Sequence, residues 1–241
     1  MKPIVLDCLG FCTKANLIIK CVVSDQGTNN CTLYRLLGAS SDKPFFDYEG
    51  RKICTFHDVP HLMKNIRNTF EKRGFIQNSV DITWDYITFL YELDKKNNTH
   101  LAYKLTDSHF DLRGKRRLSV RLATQVLSHS VGSGVHFLGA NKLYEDATHN
   151  RNSPVVADFI KHFDKLFNCF NSRSFKSNQP LGIPLSANSG HLQFLDSSLE
   201  WLKTITHRQL PGRPRRNAIL PCLDGWKRNI IALKLLWQDL S

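Results

Sequence analysis

Residues 17–38 read LIIKCVVSDQGTNNCTLYRLLG, and the stretch changes character twice. LIIKCVV (17–23) gathers β-branched and apolar residues into a run of strand length, as a buried strand does. Ser24 to Asn30 then replaces them with turn formers. The spacing next predicts a helix from about Asn30 to Leu37, closed by Gly38. Strand, polar turn, helix is how an α/β unit begins. Asp25 stands where strand gives way to turn. A carboxylate there suits a divalent cation, because a sheet fixes the backbone while the side chain reaches solvent. The plainer reading is an Asx turn or a cap for the next helix.

Downstream, the polar stretch 39–50 reads as a loop and RKICTFH (51–57) as a second short strand. Asp58 leads into a helix that tolerates Pro60 in its first turn, with Leu62, Ile66 and Phe70 as its apolar stripe. His57, Asp58 and His61 lie close together and invite a metal reading, but Asp58 fits better as the helix N-cap. Beyond about residue 75, helical periodicity runs through 81–95, 117–138, 153–171, 190–205 and 224–240, and no strand is expected. Two strands are too few for a self-sufficient sheet. The front therefore reads as part of something larger, and both ends of the chain read as cuts.

Composition narrows the function classes. The 241 residues carry a formal net charge of +12, and a basic chain of this size often meets a polyanion. Arg113, Lys115, Arg116 and Arg117 form one basic block; Arg208, Arg213, Arg215 and Arg216 form another. Either suits phosphate contact or a nuclear-import signal, and either is also what a solvated loop looks like. No run is long and apolar enough to span a bilayer, and MKPIVLDCLGFCTKANLIIK lacks a signal peptide's organisation, so an intracellular protein is expected. The seven cysteines include no CxxC pair, which argues against a disulfide framework or a zinc finger. Neither GxxxxGK[ST] nor GxGxxG occurs, which excludes a Walker-type nucleotide site. Lys104, the 113–117 block and Ser128 are candidate phosphate ligands. Phe163 sits in a Phe-rich helical segment (159, 163, 167, 170), where core packing is the plainer role.

Four phrases in order carry a resemblance: VVSDQGTNNCTLYRLLG (22–38), FHDVPHLMKNIRNTF (56–70), the run from TWDYITFLYELD through YKLTDSHF and LSVRLATQVLSHSV to ADFIKHFDKLFNCFNS, and the closing GWKRNIIALKLLWQDL. Together they resemble the P-element transposase family, including its THAP-domain relatives. The resemblance implies a partial ribonuclease-H-like α/β fragment over 1–57, then a mostly α-helical GTP-binding insertion domain over 58–241. It further implies metal-dependent DNA cleavage and joining in the nucleus, with Mg2+ held by three acidic residues. Asp25 looks like the second of these; the first is expected before Met1 and the last after Ser241, so this chain alone is expected to be inactive. For GTP, the family's pocket maps onto Lys104, Val120, Ser128, Phe163 and Asp164. Lys and Ser would serve phosphate or ribose oxygens, Phe would stack a base, and Asp would accept hydrogen bonds. Ser119 departs from the pattern, since the GTP-binding member has a basic residue before the Val; Arg117 and Arg121 stand nearby. DNA and GTP are thus the expected partners, an oligomer is possible, and no membrane is expected. The rival readings are a domesticated, non-catalytic DNA- or protein-interaction module and a free-standing nucleotide-binding protein.

Overall fold

The computed structural model describes residues 1–97, 99–172, 174–208 and 220–241. In chain order, helix α1 (Lys2–Lys14) precedes strand β1 (Cys21–Ser24), helix α2 (Thr28–Leu36) and strands β2 (Phe45–Tyr48) and β3 (Arg51–His57). Helix α3 (Val59–Lys72) leads to strands β4 (Phe75–Gln77) and β5 (Val80–Ile82). Helices α4 (Asp85–Asn97), α5 (Val120–Val126), α6 (His129–Ala140), α7 (Ala147–Phe170) and α8 (His191–Lys203) follow. Strand β6 (Ile205–His207) and helix α9 (Pro221–Leu240) complete the order. The chain divides into two compact units, Met1–Leu62 with Ile219–Ser241, and Met63–Ala218.

The first unit is built on a sheet ordered β1-β3-β2. β1 runs parallel to β3, pairing Cys21 with Cys54 and Ser24 with His57; β2 runs antiparallel to it. Ile53 through His57 are all buried, without the alternation of a strand open on one face, because β3 is central and covered on both sides. Leu9 of α1 packs with Phe46 and Ile53 in a small apolar cluster. α9 packs along β3, and its buried Asn229 completes that strand's end. Its amide oxygen accepts the His57 N–H (2.7 Å) and its amide nitrogen donates to the His57 carbonyl (2.7 Å). The sequence places 58–241 together as one domain; in the structure α9 belongs with β3.

The expected loop at 39–50 contains β2. Tyr48 pairs with Arg51 across a two-residue turn, and the turn residues Glu49 (φ 49) and Gly50 (φ 74) both lie in the left-handed region. That is the hairpin turn whose twist matches the flanking strands. α1 carries no clear signal in its apolar and charged mixture.

The second unit is mostly helical, but it opens and closes on strands. β4 pairs antiparallel with both β5 and β6 (Phe75 with Ile82 and with His207), so strands far apart in sequence share one ladder. This corrects the expectation of no strand beyond residue 75. The core of the unit is aromatic: Phe159 of α7 meets Phe70, Phe75, Phe163 and Trp201 with centroids 4.9–6.0 Å apart. α6 lies tight against α7 because it is glycine-bearing; a Cβ at Gly139 would fall 1.7 Å from the Ser153 hydroxyl oxygen. Inside α7, Pro154 offers no N–H to the Asn150 carbonyl, and the Ser153 hydroxyl donates to it instead (3.0 Å). Among the described residues, no helix is long and apolar enough to cross a membrane.

Candidate functional site

Asp25 lies one residue beyond β1, exposed, at the start of the polar turn. Its Oδ1 accepts the Gly27 N–H (2.9 Å) and the Asn30 side-chain N–H (2.6 Å). The Gly27 N–H first, then Asn30, hold its carboxyl below the usual range, with His61 and His57 adding to the effect. The Asx-turn reading is thus realised, and it fixes the carboxylate in its charged form at the strand end. Behind it, the buried Tyr34 hydroxyl lies 2.8 Å from the Phe56 carbonyl and 3.2 Å from that of Val22, tying α2 to both parallel strands. His57 is buried, and burial pushes it down to about 4, helped by the Arg228 charge. Asp58 caps α3 by accepting the His61 N–H (3.0 Å), as favoured over a metal role. Among the described residues, no three His, Cys, Asp or Glu side chains gather as metal ligands.

The nucleotide candidates lie in the second unit. Lys104 sits exposed in a loop that Asp94 organises: this buried carboxylate accepts Thr99 Oγ1 (2.6 Å), Leu101 N–H (2.9 Å) and Ala102 N–H (2.7 Å). Sequence reasoning missed Asp94, whose polar type among helical charges carried no signal. Ser128 is the N-cap of α6, accepting Val131 N–H and donating to the Gln125 carbonyl (2.8 Å). Asp164 of α7 feels the backbone N–H of His129, the first residue of α6, and the charge of Lys104. Burial pushes its carboxyl up; the His129 and Lys104 charges pull it back. Lys104 and the His129 start of α6 thus lie within electrostatic reach of Asp164. Val120 opens α5, capped by Ser119, whose hydroxyl accepts Leu122 N–H (3.3 Å). The residue that departs from the family pattern thus has a structural task.

Phe163 is fully buried, with Phe159 and Trp201 edge-on at 5.0 and 5.3 Å, so its ring packs the core. Of the second basic block, Arg208 pairs with Asp81 (3.4 Å); Arg213, Arg215 and Arg216 lie outside the described residues.

Known proteins resemble the chain over most of its length. The family described as "TNP-like, GTP-binding insertion domain" matches residues 60–182. The "Transposable element P transposase" of Drosophila melanogaster is 31% identical over 232 residues, covering 93% of this chain and 29% of that protein. Human "DNA transposase THAP9" is 26% identical over 174 residues, covering 69% of this chain and 19% of that protein. The solved "Drosophila P element transposase strand transfer complex" superposes with a TM-score of 0.83 at 26% identity, covering 98% of this chain and 52% of that one. The chain spans less than a third of the length of these curated relatives. It belongs to the P-element-type transposase family, the α/β unit and the helical unit both falling within the structural match.

Proposed function

We propose that this chain works within a DNA transposase, and that its helical unit holds a guanine nucleotide. The observation that carries the nucleotide reading is that Lys104 and the His129 start of α6 lie within electrostatic reach of Asp164, inside the stretch matched to a GTP-binding insertion domain. The chemistry is complementary. A lysine neutralises phosphate oxygens, a serine hydroxyl serves phosphate or ribose, and a carboxylate accepts from guanine's adjacent N1–H and exocyclic amine. Val120 would supply an apolar flank, and Phe163 would support the site from beneath.

For the α/β unit, the parallel β1–β3 pair beside an antiparallel β2 supports a ribonuclease-H-like core, with Asp25 as one of its carboxylates. Among the described residues Asp25 has no companion His, Cys, Asp or Glu ligands, so they do not make a two-metal site. No strand-transfer step follows from it alone. We assign Mg2+ and the DNA partner, with nuclear residence, to the intact transposase.

Titration of the 241-residue chain with fluorescent GTP tests this reading. Saturable binding is expected. Lys104→Ala weakens it by about tenfold or more, as loss of a charge-assisted contact does. Asp164→Asn removes the preference over ATP, and Asp25→Asn leaves affinity unchanged. Absence of saturable binding in a folded sample overturns it.

A further inference from the structure

The first basic block stands on a short 3-10 turn, Gly114–Leu118, and the turn rests on an unusual support. Arg67 of α3 is fully buried, yet its bonds go to carbonyls and an amide. Nη2 donates to the Arg116 and Arg117 carbonyls (3.3 and 3.1 Å), and Nε donates to Asn68 Oδ1 (2.9 Å). The nearby Glu71 is taken by Arg117 Nη2 (2.8 Å). Two guanidinium N–H groups of this cluster, Arg67 Nη1 and Arg117 Nε, are buried and meet no partner among the described residues. A buried cation without a bonded carboxylate is costly. What it accomplishes here is to hold the turn's backbone so that the remaining side chains point outward. The Arg113 side chain is 90% exposed, Lys115 and Arg121 are exposed, and Arg116 is half-exposed.

The charges do not cancel. Between residues 111 and 121, Arg113, Lys115, Arg116, Arg117 and Arg121 stand against Asp111, which bonds Arg113 and Arg116; from α3, Arg67 adds a cation and Glu71, paired with Arg117, a carboxylate. Six cations less two carboxylates leave +4 where the turn meets α3. The exposed cations follow one another along the chain from Arg113 to Arg121, an arrangement that suits successive phosphates of a polyanion.

We propose that the Arg113–Arg117 turn, braced from beneath by Arg67, is a contact surface for the phosphate backbone of DNA. It rests on the reading that DNA is the partner, and it adds where the chain grips it. The contact is sequence-independent, because contacts to phosphate fix position and register without reading bases.

The test measures binding of the full chain to a labelled duplex of arbitrary sequence between 50 and 200 mM salt. Arg113→Ala with Lys115→Ala removes two exposed side chains with no buried contact. Affinity should fall by roughly tenfold, and the slope of log K against log salt should become shallower by about 2. Lys14→Ala with Lys176→Ala removes equal charge elsewhere and should leave the slope almost unchanged. Arg67→Lys keeps the charge but loses the fork that holds two carbonyls, and should weaken binding with the slope retained. If the parent chain binds no duplex even at 50 mM salt, the DNA-partner reading itself fails. If it binds and the turn variant matches the parent or the control, this surface is overturned and the partner reading stands. Capture of the block by a nuclear-import carrier would not rescue the surface in that case.

Discussion

His162 shows how a residue of ordinary type becomes a pH-sensitive part of a core. Its ring stacks on Trp201 with centroids 3.7 Å apart, and its Nε2 lies 2.8 Å from Ser198 Oγ. Burial, then the Lys165 charge, pushes it down to about 4 from 6.5. Above pH 6.5 neither the folded nor the unfolded chain carries the proton. Below 6.5 the unfolded chain takes it up and the folded chain does not, so stability falls until about pH 4 is reached, by up to about 3 kcal/mol. His162→Phe keeps the stacking and removes the titration. Urea midpoints at pH 7 and pH 4.5 should therefore converge for the variant relative to the parent; equal pH slopes in the two would refute the assignment. At this scale, sequence reasoning was strong on chemistry and weak on exposure. Asp25 sits at a strand end as its neighbours implied, because local turn chemistry fixes it. Phe163 is sealed in the core by Phe159 and Trp201, of which Trp201 lies on α8, and no local pattern in the sequence reports that neighbour.

Elements were legible where they are long or locally signalled. β3, α3, α8 and α9 fall where periodicity placed them, and Asp58 caps α3 as its residue type suggested. α7 begins six residues before the expected 153 because Asp146 caps it and the Ser153 hydroxyl compensates Pro154. The three-residue strands β4, β5 and β6 were invisible, since three residues show no period and their stability comes from a ladder closed by distant sequence. The β4–β5 turn carries a testable consequence. Asn78 (φ 49) and Ser79 (φ 66) both adopt left-handed backbone, which asparagine tolerates and serine resists. Ser79→Gly should relieve that strain at an exposed position and raise stability by about 0.5–1 kcal/mol, after the larger entropy glycine loses on folding. An unchanged or lower urea midpoint would show that serine sits in this turn without strain.

On the scale of the whole molecule, the chain leaves one unit, builds another and returns. The return is made by α9, which restores to β3 hydrogen bonds that a strand end lacks, across a separation of 172 residues. This could not be read locally: GWKRNIIALKLLWQDL announces an amphipathic helix but not the partner for its apolar face. Asn229 is the residue on which the return turns. It is fully buried and pairs both the N–H and the C=O of His57, while its neighbour Arg228 donates to Thr55 Oγ1 (2.7 Å). Asn229→Ala leaves both backbone groups buried without partners, at about 1–3 kcal/mol each. Because β3 is the central strand of its sheet, the loss should surface there and in β1, and not in the ladder of β4, β5 and β6, which belongs to the other unit. Amide hydrogen exchange on the variant should accelerate through Cys21–Ser24 and Arg51–His57, while Phe75–Gln77 and the α7 core keep their protection and GTP affinity holds. Uniform acceleration across both units would mean that they unfold as one, and that the C-terminal helix stabilises the whole chain rather than the sheet carrying Asp25.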